Sequence, residues 1–182
     1  MSTSTHRSIS AAIVPSGRTS HFYGVSMLNG VTPAQFARHA PGPDGKRVVS
    51  NHPAWVYGHL ACYNARIMEL VERPEDARKL ALPSFMELFK NGTECKDDAA
   101  GTIYPGMDEI VQAWQKGHEH VLAVLPEVGN EVFEKPNPAE GRFKEMFPTV
   151  GSAVAFLISG HPMSHIGQVS AWRRMFGLPS AM

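Results

Sequence analysis

Apolar residues recur every three to four positions in four separate stretches of this chain, and Pro, Gly, Asn and Asp gather between them. That spacing belongs to helices that turn one face to a core, which confines the chain to a helical assembly. The first stretch runs from about Ser20 through Ala40, broken at Asn29-Gly30, with Thr32-Pro33 reading as an N-cap followed by proline at the first helical position. The second starts after His52, carries the stripe Trp55, Val56, His59, Leu60, Tyr63, Ile67, Leu70, and ends at Glu72-Arg73-Pro74. A short helix from about Pro83 to Phe89 is expected inside the long connection that follows. The third stretch spans about Met107 to Leu125 and is stopped by Pro126. The fourth runs from about Thr149 to Phe176, with Gly177-Leu178-Pro179 as its stop. Val48-Val49 and Val132-Phe133 are the best β candidates, and both are too short to build a sheet. The expected fold is all-α, an antiparallel four-helix bundle with long crossover connections.

With 182 residues, the chain is expected to hold one domain, residues 20–182, behind a flexible tail of residues 1–19. No Asp or Glu precedes Asp44, and the opening segment is rich in Ser and Thr with Arg7 and Arg18. It reads as a frayed tail leading into the first helix, with a transit peptide as the alternative. Lys plus Arg equals Asp plus Glu, 17 against 17, so no net field draws the protein to nucleic acid or an anionic membrane. No stretch approaches the ~20 apolar residues a bilayer crossing needs. A soluble, cytoplasmic protein is expected. Cys62 and Cys95 lack C-x-x-C spacing, which fits free thiols better than a zinc knuckle or a disulfide framework.

Among nine histidines, position singles out three. His161 and His165 are four apart on the inward stripe Val154, Leu157, Ile158, His161, His165, Val169, Trp172, so they project from one face, one turn apart. Two neutral imidazoles buried side by side each need a donor and an acceptor partner, and a divalent cation removes that need by taking a lone pair from each. His59 lies on the buried stripe of the second helix, where a single histidine is more often a hydrogen-bonded core residue. Together the three supply a set of nitrogens with a coordination position left open, as catalytic rather than structural metal sites do. Imidazole ligation suits Zn, Ni, Cu or Fe. Trp55, Tyr63 and Gln168 are expected to line the pocket or orient imidazoles, and His52 to act as a cap or rim residue. His118 and His120, two apart, are expected at the surface, and His6, His21 and His39 have no helical partner. Pro162 removes the bond to the Ile158 carbonyl and biases His161 away from helix, so a kink is expected there. His161-Pro-Met-Ser-His165 lacks the glutamate of H-E-x-x-H, which argues against a zinc protease.

Trp55-Val-Tyr-Gly-His59-Leu60 resembles the W-x-x-x-H-L element of the DinB/YfiT-like superfamily. His161-Pro-Met-Ser-His165-Ile-Gly167-Gln168, followed by Arg173-Arg174 and Gly177-Leu178-Pro179, resembles its H-x-x-x-H-x-G-Q element and basic tail, and Tyr104-Pro105 fits the opening of its third helix. The resemblance covers the chain from about Ser20 onward and implies a four-helix bundle, often dimeric, binding a divalent metal, Zn or Ni, through His59, His161 and His165. It further implies a small-molecule substrate, some relatives being thiol S-transferases or hydrolases that use low-molecular-weight thiols. A non-catalytic metal-binding stress or regulatory protein is the alternative, and a structural bundle whose histidines satisfy one another is a third.

Overall fold

The computed structural model describes residues 8–182. Its long helices are α1 (Ser10–Ser26), α3 (Pro53–Leu70), α6 (Met107–Val124) and a final rod made of α9 (Val150–Ala155), a π turn (Phe156–Gly160) and α10 (His161–Met175). Shorter pieces join them: α2 (Pro33–Phe36), α4 (Pro74–Leu80), α5 (Pro83–Phe89), α7 (Asn130–Phe133) and α8 (Gly141–Met146). Proline opens α2, α3, α4 and α5, where its missing N–H would have had no helical partner. The fold is all-α, as the periodicity predicts.

Several boundaries differ from those expected. Helix α1 starts at Ser10 rather than Ser20, so residues 10–19 are helical and not a tail. The tail expected over residues 1–7 lies outside the described residues. The inner face of α1 is built from Ser10, Gly17, Ser20, Gly24 and Ser26 as well as Ile13 and Val14, too small and polar to register as an apolar stripe. Those small residues have a packing role. A Cβ on Gly17 would sit 2.7 Å from Leu122, and one on Gly24 would sit 2.4 Å from the Trp114 ring. Pro74, read as the end of the second helix, opens α4 instead. Val48 belongs to a two-residue antiparallel ladder, β1 (Ala40–Pro41) with β2 (Arg47–Val48), whereas Val132 and Phe133 are helical in α7.

The packing partners also give the direction of each helix. Along α1, Gly17 lies against Ile158 and Leu122, and Gly24 against Ile166 and Trp114. The final rod therefore runs with α1, and α6 runs against it. Ile13 and Val14 share a cluster with Ile67 and Met68, while the Tyr57 hydroxyl donates to the Gly24 carbonyl at 2.6 Å, so α3 also opposes α1. The antiparallel relation thus holds between two pairs of helices, and α3 and α6 run the same way. A chain can join two parallel helices only by travelling back along the bundle, and residues 71–106, with α4 and α5, make that crossover. Two apolar clusters fill the bundle, one holding Leu157 and Ile158, the other Leu60 and Ile166. His161 and His165 lie in sequence at the seam between them, and His59 lies within the second cluster's run on α3.

Candidate metal centre

His59 from α3 meets His161 and His165 from α10. The Nε2 atoms of His59 and His161 are 3.2 Å apart, those of His165 and His161 3.1 Å, and the three lie within 4.8 Å of one another. His59 is buried and the other two are half-buried. The ring of Trp55 stacks on His59 at 4.6 Å and 13°, and Tyr63 meets His59 and His161 edge-on at 5.0 and 4.6 Å.

Two of the rings are oriented from behind. His59 Nδ1 is 2.7 Å from the Phe89 carbonyl, which can only accept, so Nδ1 carries the hydrogen and Nε2 turns a bare lone pair inward. Phe89 reaches that place because residue 58 is glycine: a Cβ there would stand 2.6 Å from the Phe89 ring. His165 Nδ1 is 3.0 Å from Gln168 Oε1, which also accepts from Asn51 Nδ2 at 3.1 Å. That arrangement fixes the hydrogen of His165 on Nδ1 and bares its Nε2 as well. His161 Nδ1 is buried with no partner among the described residues.

The chemistry of this donor set fits a cation. Three neutral imidazoles hold three N–H hydrogens, and two of them are committed outward to Phe89 and Gln168. One proton on His161 remains to separate three converging nitrogens. It can bridge to one neighbour and leave the other contact as lone pair against lone pair, whereas a divalent ion draws on all three. The group can therefore hold a metal ion. Burial keeps the rings uncharged, as ligation requires: it lowers the His59 pKa to about 4, against the Phe89 hydrogen bond that raises it. Burial, reinforced by the neighbouring imidazoles, lowers His161 to about 3. His165 is lowered by burial, with the Gln168 bond opposing.

Pro162 produces a π turn rather than a break. His161 keeps helical angles, φ −63° and ψ −51°, and its N–H reaches back five residues to the Phe156 carbonyl. The extra residue wound into Phe156–Gly160 lets Leu157 and Ile158 stay in the core below while His161 and His165 face α3 above. Such turns are rare and concentrate at functional sites. The Ile158 carbonyl, which the proline nitrogen cannot serve, accepts the Ser20 hydroxyl of α1 at 2.7 Å.

Beside the histidines lies a cavity of about 480 Å³, walled by Trp55, Tyr63, Phe143, Phe156 and Leu157, with Arg66 and Asn91 also lining it. Trp55 and Tyr63 are thus where the stripe places them. Gln168 bonds the back of His165 and does not line the cavity. His52 is neither ligand nor wall: fully buried, it caps α3, with Nδ1 accepting from the Trp55 N–H at 3.2 Å and Nε2 bonded to the Lys96 carbonyl at 2.9 Å. His118, expected in solvent, is buried and bonded through Nε2 to the Gly17 carbonyl at 3.1 Å. His21, without a helical partner in sequence, stacks on both Trp114 and His118, which also touch each other. His39 is also buried, bonded to the Cys95 carbonyl. His120 is half-exposed and pairs with Asp76 at 2.9 Å. Sequence reasoning missed Gly58, Asn51, Ser20 and Arg66, of which Arg66 had a signal: His59, Tyr63 and Arg66 share a face at i, i+4, i+7.

A helical bundle with a cavity and three converging imidazole nitrogens defines a class of bundle proteins able to hold a metal ion. The chain belongs to the DinB superfamily, whose family model matches residues 25–169. No curated protein matches it, and no solved structure does.

Proposed function

We propose that the protein is a metal-dependent enzyme in which His59, His161 and His165 hold one divalent ion, zinc or nickel, and that it acts on a small molecule by thiol transfer or hydrolysis. The observation that carries this reading is the proton deficit at the three Nε2 atoms, set beside a cavity able to admit a substrate. The ion would act as a Lewis acid, favouring the thiolate of a bound low-molecular-weight thiol or the ionised form of a bound water. The chain's own part is to aim the imidazoles through Phe89 and Gln168, and to exclude water with the rings of Trp55, Tyr63 and Phe156. A homodimer, working in the cytoplasm, completes the reading.

One observation favours the alternative, a metal-binding protein without catalysis. Among the described residues lining the cavity there is no Asp or Glu to act as general base. Elemental analysis and turnover assays separate the two. Purified protein should carry about one equivalent of metal, lost on His161→Ala or His165→Ala, and the holo-protein should consume thiol with an electrophile or hydrolyse a thioester. One equivalent of metal with no turnover on such a panel would leave the binding role. Metal-free protein that melts identically with and without added zinc would remove both.

A further inference from the structure

A second recess, of about 350 Å³, adjoins the first cavity and shares Tyr63, Arg66 and Asn91 with it, adding Cys62, Met86 and Lys90. The three shared residues stand at the border of the two chambers, the neck of the groove they form together. Among the described residues lining either chamber, Arg66 and Lys90 carry charge and none is acidic. The whole chain holds equal numbers of each sign, 17 and 17, so a purely cationic lining departs from its composition. The imidazoles of the floor are neutral and would not offset the charge of an ion they held. The groove as a whole thus has an excess of positive charge with no protein partner inside it.

We propose that the molecule bound in this groove carries an oxyanion, a carboxylate or a phosphate, held by Arg66 at the neck and Lys90 in the second recess. This rests on reading the cavity as the substrate site. Arg66 Nη1 pairs with Glu69 Oε2 at 3.0 Å, but that pair is exposed on both sides and worth little, and it leaves the remaining donors of the guanidinium for a ligand. Lys90 enters none of the ion pairs found among the described residues. The Asn91 amide can add a neutral donor at the same neck. Arg66 follows His59 by seven residues on α3, roughly 10 Å along the helix axis. A ligand reaching from the histidines to the neck therefore has a short chain between its two ends, and the Phe156 side of the cavity offers that chain an apolar wall.

The test is calorimetric and uses mercaptohexanoate, its amide mercaptohexanamide and mercaptohexyl phosphate on the metal-loaded protein. The charged ligands should bind roughly tenfold tighter than the amide, as charge-assisted hydrogen bonds require. Arg66→Gln should bring the ratio close to one, Lys90→Gln should reduce it, and Arg66→Lys should keep part of it. The tighter of the two charged ligands identifies the oxyanion. Equal affinity for acid, phosphate and amide, or a preference that survives the Arg66→Gln/Lys90→Gln double variant, would overturn the proposal. Hexanoate against hexanamide on metal-free protein keeps the two readings apart. An acid preference there, in a protein that never takes up metal, would sink the metal reading and sustain this one.

Discussion

Each of the three imidazoles is held differently, and the differences determine which substitution matters. His59 is fixed by a backbone carbonyl that no side-chain change removes directly, while His165 depends on the single amide of Gln168. Partners of this kind set ring orientation and ligand basicity, and their loss typically costs ~10–100-fold in metal affinity. Gln168→Ala is therefore expected to weaken zinc binding toward the lower end of that range, read by competition with a chromogenic chelator, with the melting temperature of the metal-free protein nearly unchanged because Gln168 is exposed. At this scale the sequence is most legible. His161 and His165 follow from helical spacing, whereas His59, which its stripe alone leaves readable as a core histidine, leans on the resemblance. Gln168 was marked for either of two roles and took one of them, behind a ring. His118 was misread because two histidines two apart leave open which of them faces inward, and the inward acceptor, the Gly17 carbonyl, lies 101 residues away.

Among elements, the π turn before Pro162 controls the aim of α10. Its open carbonyl, that of Ile158, is met from another helix: Ser20 of α1 supplies the hydrogen that the proline nitrogen lacks. Ser20→Ala should destabilise the protein by about 1–2 kcal/mol, the usual cost of an unmet buried acceptor. In a Pro162→Ala background, where residue 162 again carries an N–H, the same change should cost less. A double-mutant cycle by urea unfolding measures that coupling, and strict additivity would refute it. The proline was visible in the sequence and so was the carbonyl it would orphan. What stayed hidden was the remedy, because it depends on a serine in a helix whose buried face is mostly too small to look apolar. The crossover was also hidden in part: the long connection is plain, but that it joins two parallel helices depends on contacts that only the folded bundle makes.

For the whole molecule, buried neutral histidines link folding to pH. Burial lowers both His52 and His118 to about 4, against the hydrogen bonds to Lys96 and Gly17 that raise them. An unfolded chain takes up these protons near pH 6.5, which the folded one refuses until about pH 4. The stabilisation is therefore complete above pH 6.5 and is lost as pH falls toward 4, at most roughly 3–4 kcal/mol for each group. Urea unfolding of metal-free protein should show stability declining across that window, and His118→Gln, which keeps a donor for Gly17, should make the decline shallower. An unchanged slope would mean that His118 is not one of the groups responsible.

Helix α1 brings a final consequence for how much of the chain the histidine cluster depends on. The family match opens at residue 25, one residue short of the end of α1, and closes at residue 169, before the buried Trp172 and Arg173. Cut to those limits, the chain would lose the serine that completes the π turn, the small-residue wall that lets Leu122 and Trp114 close up, and the guanidinium that ties the Met27 and Pro179 carbonyls together. What folds is a larger body than the matched segment, and the geometry of the three-histidine cluster depends in part on residues outside it.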